Sequence, residues 1–488
     1  MMEERHEACY AAFKSKDSRF DGHFFVGVTS TGIYCRPVCR ARLPKPENCV
    51  FFAAAAEAEQ AGLRPCLQCR PELAPGLAPI DASRTLAHLA ARLLEENCGS
   101  IGNLEELAAH LGCTDRHLRR VFNEEYHVSP VEYLQTCRLL LAKSLLTDTK
   151  LSVLDVAMAS GFGSLRRFND VFKKQYHLAP GALRKQTAEY AKQTGENVTL
   201  TLDYRPPYEW DKMISFLSMR AIPGVEVIRD GAYFRTARLV TKGQKEVSGW
   251  IKAENAPEKN ALKVTVSASF LPVLPQVLSR VKQMFDLNCD PNIIYETLRM
   301  MDELHPGLCV PGTRLPGCFD PFEMSVRAVL GQQITVRAAT TLAGRMAQNM
   351  GTPIQTGIDG LTHVFPSART ILNLGEPVSD KLGSLGIIAA RGNTIYALAR
   401  SMEDGTIVLS TVPRPDAAME KLMEIPGIGA WTAGYIAMRT LGFTDAFPET
   451  DYGIQKALEP RTKKEILALA ESWRPWRSYA AINLWNSL

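Results

Sequence analysis

The sequence predicts a multidomain chain with four parts: a small α+β cysteine-rich module, an all-α duplicated helix-turn-helix, an α+β segment, and an all-α segment containing a helix-hairpin-helix. Three observations carry that expectation. Four cysteines fall in two close pairs, Cys35 with Cys39 and Cys66 with Cys69. One helical stretch is echoed by the next. Near the C-terminus, EIPGIGAWTAGY joins two amphipathic helices through a Pro/Gly turn. The length of 488 residues suits three or four domains at roughly 100–200 residues each. With 46% hydrophobic and 22% charged residues the composition is globular, which excludes disordered and collagen-like classes. Fifty-six basic against 52 acidic residues leave a net charge of +4, so any surface for nucleic acid must be local. No apolar run approaches the ~18 residues of a membrane helix. The N-terminal MMEERHEACYAAFKSKDSRF carries charge throughout and lacks the apolar core of a signal peptide. A cytoplasmic chain with reduced cysteines is expected.

Residues 1–80 hold the first part. Cysteines are uneven along the chain: six lie by position 69 and none follows Cys318. Two pairs separated by a loop fit four thiolates, Cys35, Cys39, Cys66 and Cys69, around one tetrahedral Zn²⁺. A purely structural zinc knuckle satisfies the spacing equally well. Arg42, Lys45 and Arg64 flank the pairs as phosphate contacts or as plain solvated charge, and Arg42 in CRAR is the favoured one. The other cysteines lack partners at ligand spacing and read as small hydrophobes.

Residues 81–190 are rich in Leu, Ala and Arg at helical spacing. LEELAAHLGCTDRHLRRVFNEEYHVSPVEYL is followed by VLDVAMASGFGSLRRFNDVFKKQYHLAPGALR. Each copy reads as helix, Gly turn, polar N-cap, second helix and then Y-H-x-x-P, which is a duplicated helix-turn-helix. Thr114 and Ser164 suit the N-caps of the second helices. Those helices carry Arg116, Arg119 and Arg120 in one copy, and Arg166 and Arg167 in the other. Basic N-terminal halves suit the DNA major groove, against the plainer reading of a solvated charged face. TAEYAKQTGE, residues 187–196, reads as a linker.

In residues 197–310, NVTLTLDY, AYFRTARLV and ALKVTVSAS alternate as half-buried strands do. KMISFLSMRAI and LPQVLSRVKQMFDL have helical periodicity. Residues 311–488 read as almost wholly helical. There the backbone at Gly427 and Gly429 can approach a phosphate, and the helix that starts near Ala430 points its free N–H groups the same way. Asp451 follows in FPETDYGIQKAL, in the first turn of a further helix.

These motifs resemble known families. TGIYCRPVCRARLPKPENCVFF with GLRPCLQCRPE is similar to the zinc domain of Ada-type alkylation-response proteins, and the duplicated segment resembles the AraC-type DNA-binding domain. From about residue 198, the strings RPPYEW, FEMSVRAVLGQQIT, EIPGIGAWTAGY and ESWRPWRSYAAINLW resemble AlkA-type 3-methyladenine glycosylases of the helix-hairpin-helix superfamily. An Ada–AlkA fusion is therefore implied, with a TATA-binding-protein-like α+β domain at 197–310. The resemblance implies that Cys35 accepts a methyl group from a DNA methylphosphotriester. Four thiolates around a dication leave two net negative charges, and methylating one sulfur removes one of them, which weakens repulsion of DNA phosphates. In the glycosylase part it implies Asp451 as catalytic residue and Phe216, Trp431, Tyr435 and Trp485 as the base pocket. The backbone carbonyls of Met423, Ile425 and Ile428 are implied as a candidate monovalent-cation site.

Two places depart from the AlkA pattern. Thr450 stands where another Asp often precedes the catalytic one. The intercalating leucine's place holds Gln333, after Gln332, which leaves the wedge residue open and Gln332 as a DNA contact. Trp431 occupies the place of the lysine in bifunctional relatives, so a monofunctional hydrolase is expected. No cysteine follows Cys318 to hold an iron–sulfur cluster, and no PCHR string implies O6-methylguanine repair. The expected function is excision of alkylated bases coupled to a methylation-responsive regulator acting on double-stranded DNA, with RNA polymerase as a candidate partner. The alternatives are a regulator whose C-terminal part only binds damage, and a plain zinc-containing DNA-binding protein.

Overall fold

In the computed structural model of the chain, residues 2–16, 21, 24–52, 55–71, 79–96, 98, 103–187, 197–241, 243–375, 377–409 and 415–488 are described. Most of the expected linker at 187–196, and the Pro/Gly passage at 72–78, lie outside them. The chain forms two compact units, residues 1–92 with 103–132, and residues 93–102 with 133–488.

The first unit contains a four-stranded sheet in the order Cys49–Phe52, Phe25–Val28, Ile33–Cys35, Arg64–Pro65. The first three strands are antiparallel, and Arg64–Pro65 joins Ile33–Cys35 in parallel. That last pairing gathers the cysteines. Ile33 opposes Arg64, Tyr34 opposes Pro65, and the Cys66 N–H donates to the Tyr34 carbonyl at 3.0 Å. Cys35 thus ends one strand just as Cys66 leaves its neighbour. The same unit holds the first helix-turn-helix, Leu104–His110 and Asp115–Tyr126.

The second copy, Val153–Ala159 and Leu165–Tyr176, belongs to the second unit. The expected caps are in place in both: Thr114 accepts from His117 N, and Ser164 from Arg167 N, each at 3.2 Å. The echoed Tyr-His also has its cause. His127 and His177 are the C-caps of these helices, with φ of 58° and 55°, the left-handed conformation that stops a helix. Leu118, Val121 and Phe122 turn inward in one copy, and Phe168 and Phe172 in the other, so the Arg-bearing faces are left to solvent.

The second unit carries a five-stranded antiparallel sheet in the order Val198–Asp203, Ala261–Val266, Glu246–Ala256, Ala232–Val240, Glu226–Arg229. The three expected strands are there. The sequence pattern does not announce Glu226–Arg229 and Glu246–Ala256, because EVIR is short and EVSGWIKAENA dilutes its alternation with glycine and charge. Helices Trp210–Ser218 and Leu274–Met284 pack apolar stripes toward a shared core with Phe216, Leu217, Val277, Leu278 and Val281 buried. Sheet and helix Pro321–Leu330 are riveted by buried ion pairs: Arg235 to Glu323 at 2.7 Å, and Arg327 to Glu226 at 2.9 Å and Glu323 at 3.3 Å. Removing one partner would strand a buried charge, so the network fixes where Arg327 stands.

Beyond Pro311 the described residues form helices joined by loops, with a two-residue ladder pairing Thr352–Pro353 with His363–Val364 and an isolated bridge from Leu361 to Gly224. Among the described residues no helix is long and apolar enough to cross a membrane.

Candidate functional site

Helices Pro415–Met423 and Ala430–Ile436 flank the hairpin. Its two glycines do different jobs. Gly427 has φ +93°, and a Cβ there would lie 2.2 Å from Thr394 Oγ1, so both conformation and space demand glycine. Thr394 also donates to the Pro426 carbonyl at 2.8 Å, binding the hairpin to helix Ala389–Glu403. Gly429 has φ −93° and nothing within 4 Å of a Cβ; it is the exposed N-cap of Ala430–Ile436. Its backbone is open to an approaching phosphate. Among the implied cation-site carbonyls, that of Ile425 accepts from Ile428 N at 3.0 Å.

Gln332 is half-buried and lines the cavity described below. Its Nε2 donates to the Gly427 carbonyl at 2.8 Å and to Thr432 Oγ1 at 3.0 Å, and its backbone carbonyl takes a bond from Arg391. It braces the hairpin. Gln333 beside it has φ 54°, in the left-handed region.

Asp451 is the N-cap of helix Tyr452–Ala457. Its Oδ1 accepts from Gly453 N at 2.9 Å, Ile454 N at 3.2 Å and Trp485 Nε1 at 2.8 Å, while Oδ2 accepts from Trp431 Nε1 at 3.2 Å. Four donors therefore hold one carboxylate. Gly453 makes this possible, since a Cβ there would lie 3.0 Å from the Trp485 ring and 3.1 Å from Oδ1. Trp431 stacks on Tyr435, centroids 5.4 Å apart and planes 12° apart, and Trp485 meets Tyr435 edge-on at 6.1 Å. Three of the four sequence-predicted pocket aromatics thus converge on Asp451.

These groups line a cavity of about 1230 Å³. Phe216 does not line it. Phe216 is buried beneath two guanidiniums, with Arg220 3.7 Å and Arg439 5.0 Å from its ring centroid, and it is Arg220 and Arg439 that reach the cavity. The expected aromatic wall at this place is cationic, because Arg220 lies one helical turn beyond Phe216 and covers its face. Arg439 sits in a π-helical turn, Ala437–Leu441, a widening frequent at functional sites. It donates to Tyr435 OH at 2.7 Å, to the Gly317 carbonyl at 3.1 Å and to the Pro316 carbonyl. Burial alone would push the Tyr435 hydroxyl up, but Arg439, Arg220 and Arg327 outweigh it and pull it below the ordinary range. Sequence reasoning missed these arginines, and also Tyr452, which lines the cavity and is 76% exposed. Only the position of Tyr452 next to Asp451 could have signalled it.

In the first unit, the sulfurs of Cys35, Cys39, Cys66 and Cys69 lie within 4.8 Å of one another, and all four residues are buried. Crowding alone sets these thiols against each other. Hydrogen bonding to Cys39 pushes Cys35 far up, and the same contact pulls Cys39 down to about 3. Four such sulfurs can all be thiolates only around a cation, so the set fits a tetrahedral Zn²⁺. Arg36, inside the first pair, is fully buried against Asp21, with Nε to Oδ1 at 2.8 Å, and its N–H donates to Cys69 Sγ at 3.4 Å. It orders the loop that carries Cys35 and Cys39, a role the spacing did not announce. Arg42 and Arg64 lie at the surface. Arg116, Arg166 and Arg167 are exposed on their helices, whereas Arg119 pairs with Asp115 at 2.8 Å and Arg120 with Glu124 at 3.2 Å, one turn away.

A braced hairpin, a capped carboxylate clamped by indoles and an aromatic cavity define a helix-hairpin-helix DNA glycosylase, joined to a four-cysteine zinc module and helix-turn-helix copies. Residues 8–72 match the family described as "Metal binding domain of Ada", 107–186 that described as "Helix-turn-helix domain", and 199–320 "AlkA N-terminal domain". A Mycobacterium tuberculosis protein named "Probable bifunctional transcriptional activator/DNA repair enzyme AlkA" is 36% identical over 495 residues, covering 100% of this chain and 97% of that one. The Escherichia coli "DNA-3-methyladenine glycosylase 2" is 35% identical over 285 residues, 58% of this chain and 96% of that one. The Escherichia coli "Bifunctional transcriptional activator/DNA repair enzyme Ada" is 40% identical over 124 residues, 25% of this chain and 34% of that one. The chain belongs to the family of bifunctional transcriptional activator/DNA repair enzymes of the AlkA type.

Proposed function

We propose that this protein repairs alkylated DNA by two chemistries and reports the damage to transcription, with Asp451 and Cys35 as the reacting residues. The C-terminal part is a monofunctional glycosylase for alkylated bases of the 3-methyladenine class. The hairpin backbone at Gly427 and Gly429 grips a phosphate, and the damaged nucleotide swings out of the stack into the cavity. Trp431, Tyr435 and Trp485 offer electron-rich faces to the cationic base. The C1′–N bond breaks with its electron pair leaving on the base, positive charge builds on the sugar, and Asp451 stabilises it until water adds and loses its proton. The observation that carries this reading is the Asp451 carboxylate, fixed by four donors at the wall of an aromatic cavity.

Cys35, Cys39, Cys66 and Cys69 hold one zinc ion, which when bound keeps all four sulfurs ionised at neutral pH. The Cys35 sulfur takes a methyl group from a methylphosphotriester: the S–CH3 bond forms, the O–CH3 bond breaks, and the phosphodiester leaves with its negative charge. Arg42, Arg116, Arg119, Arg120, Arg166 and Arg167 contact DNA, so methylation at Cys35 raises affinity by lowering local negative charge. The segments 1–80, 81–190, 197–310 and 311–488 divide these roles. The carbonyls of Met423, Ile425 and Ile428 form a monovalent-cation site beside the gripped phosphate, RNA polymerase is the partner once the regulator is on its promoter, and the chain works in the cytosol. The decisive experiment is release of free methylated bases from methylated duplex by wild type and Asp451→Asn.

A further inference from the structure

The cavity has two chemically opposite ends. Asp451 lies at one, bonded to the Trp431 indole. Along the helix, Tyr435 stands one turn further and Arg439 another, so the ladder runs from carboxylate to guanidinium over ~12 Å at 1.5 Å per residue. Arg220 joins the cationic end from helix Trp210–Ser218 and the turn after it, stacked at 3.7 Å on Phe216. The four cavity arginines are not equivalent, and Arg391 is bonded to the Gln332 carbonyl. Arg327 is neutralised by Glu226 and Glu323. Arg439 is 2% exposed, with its guanidinium bonded to two carbonyls and to Tyr435. Arg220 donates to the Phe216 carbonyl at 3.2 Å, is hydrogen-bonded to Tyr435 and lines the cavity, but it forms no ion pair among the described residues and bonds to only one carbonyl.

A cation facing a pocket meant for cationic bases is self-defeating unless it reads something on the base. A purine whose sugar bond lies at Asp451 presents its opposite edge, the substituent at C6, to the far end. On 7-methylguanine that substituent is a carbonyl oxygen, an acceptor. On 3-methyladenine it is an amino group, a donor. We infer that Arg220 is a specificity-determining residue that hydrogen-bonds the exocyclic carbonyl oxygen of the flipped base, favouring carbonyl-bearing over amino-bearing alkylated purines. Phe216 serves as the platform that fixes the guanidinium plane, which is why it is buried behind Arg220 and not exposed to the base. This rests on the glycosylase reading above.

The test compares both bases in one tube. Full-length wild type and Arg220→Met act on duplex treated with a methylating agent, and released 7-methylguanine and 3-methyladenine are separated and quantified. The ratio of their kcat/KM values is the readout, because a folding defect or weaker DNA binding lowers both together. We expect the ratio of 7-methylguanine to 3-methyladenine to fall about tenfold or more in Arg220→Met, as loss of a charge-assisted bond at the far edge requires. If Arg220→Met melts early, Arg220→Gln, which keeps one donor toward the Phe216 carbonyl, is used and should shift the ratio in the same direction. An unchanged ratio, or equal loss on both bases, overturns the role of Arg220 and leaves the glycosylase reading standing. Wild type that releases neither base overturns both.

Discussion

Replacing Asp451 by Asn changes one oxygen to an amide and removes one charge, and the surroundings let the two effects be separated. As an N-cap, Asn is about as good as Asp, so helix Tyr452–Ala457 should keep its start. With its amide oxygen in the place of Oδ1, the new side chain still accepts from Gly453 N, Ile454 N and Trp485 Nε1. Its amide nitrogen then faces the Trp431 indole N–H, two donors where one bond of 3.2 Å had been. One donor left unmatched at a half-exposed site costs about 1 kcal/mol, a fall in melting temperature of about 1–2 °C for a unit of this size. Catalysis should lose far more. A preorganised group facing developing charge is worth about 3–4 kcal/mol, or roughly 10²–10³ in rate. Base release in single-turnover assays on methylated duplex, with melting and DNA-binding curves alongside, measures all three. Binding should change little, since the grip lies in the hairpin. Because 3-methyladenine leaves readily, 7-methylguanine is the stricter substrate. Unchanged rates on both bases would refute a catalytic role for Asp451. Glu449 would then come first, although it pairs with Lys463 at 3.4 Å, and Glu449→Gln is expected to behave as wild type.

Three further expectations concern the other parts. Protein purified without chelators should carry about one zinc per chain by metal analysis, and Cys39→Ala should lose it together with the fold of residues 1–80, because small zinc modules lean on the metal; zinc-free folded protein sinks the assignment. Mass spectrometry after exposure to methylated DNA should find the methyl group on Cys35, and promoter affinity should rise by a factor that shrinks with salt; methyl on Cys66 or Cys69 would reverse the roles. The two hairpin glycines should part company. Gly427→Ala forces a contact at 2.2 Å with Thr394 and a strained φ, so it should lower thermal stability and activity together. Gly429→Asp, where nothing lies within 4 Å, should leave stability near wild type and weaken DNA binding; equal effects of the two on stability would contradict the geometry.

Legibility followed the range of the interactions. The cysteine cluster, the helix-turn-helix caps and the hairpin are readable because local spacing dictates them: Thr114 caps the helix that starts at the next residue, and a short parallel pairing brings Cys66 beside the first cysteine pair. What stays hidden is long-range. Nothing near Gln332 in sequence shows that its amide reaches Gly427, 95 residues away. Resemblance places Phe216 in the pocket, yet its burial depends on Arg220 and Arg439 lying over its ring, an arrangement assembled across more than 200 residues. Strand Glu246–Ala256 escapes the pattern because its glycine and charges suit its sheet partners and not an isolated amphipathic alternation.

The clamp on Asp451 bears on how the reaction proceeds. Oδ1 already accepts three hydrogen bonds, from two backbone N–H groups and Trp485, so it is poorly placed to take a proton from water. Oδ2 accepts only from Trp431 among the described residues. A carboxylate held this rigidly by donors is oriented in advance toward charge that develops beside it, which suits it to stabilising a cation. The leaving group needs little help, because an alkylated purine is already positively charged, and a weakly nucleophilic water can add to the sugar cation once it exists. In the proposed reaction both tryptophans would act twice, with their rings offered to the base and their N–H edges bonded to the carboxylate. Trp485→Phe should separate those duties: the aromatic face remains, the bond to Oδ1 goes, and kcat should fall several-fold with KM little changed. A rise in KM at constant kcat would mean that Trp485 serves the base alone, and that the backbone N–H groups of Gly453 and Ile454 suffice to hold Asp451.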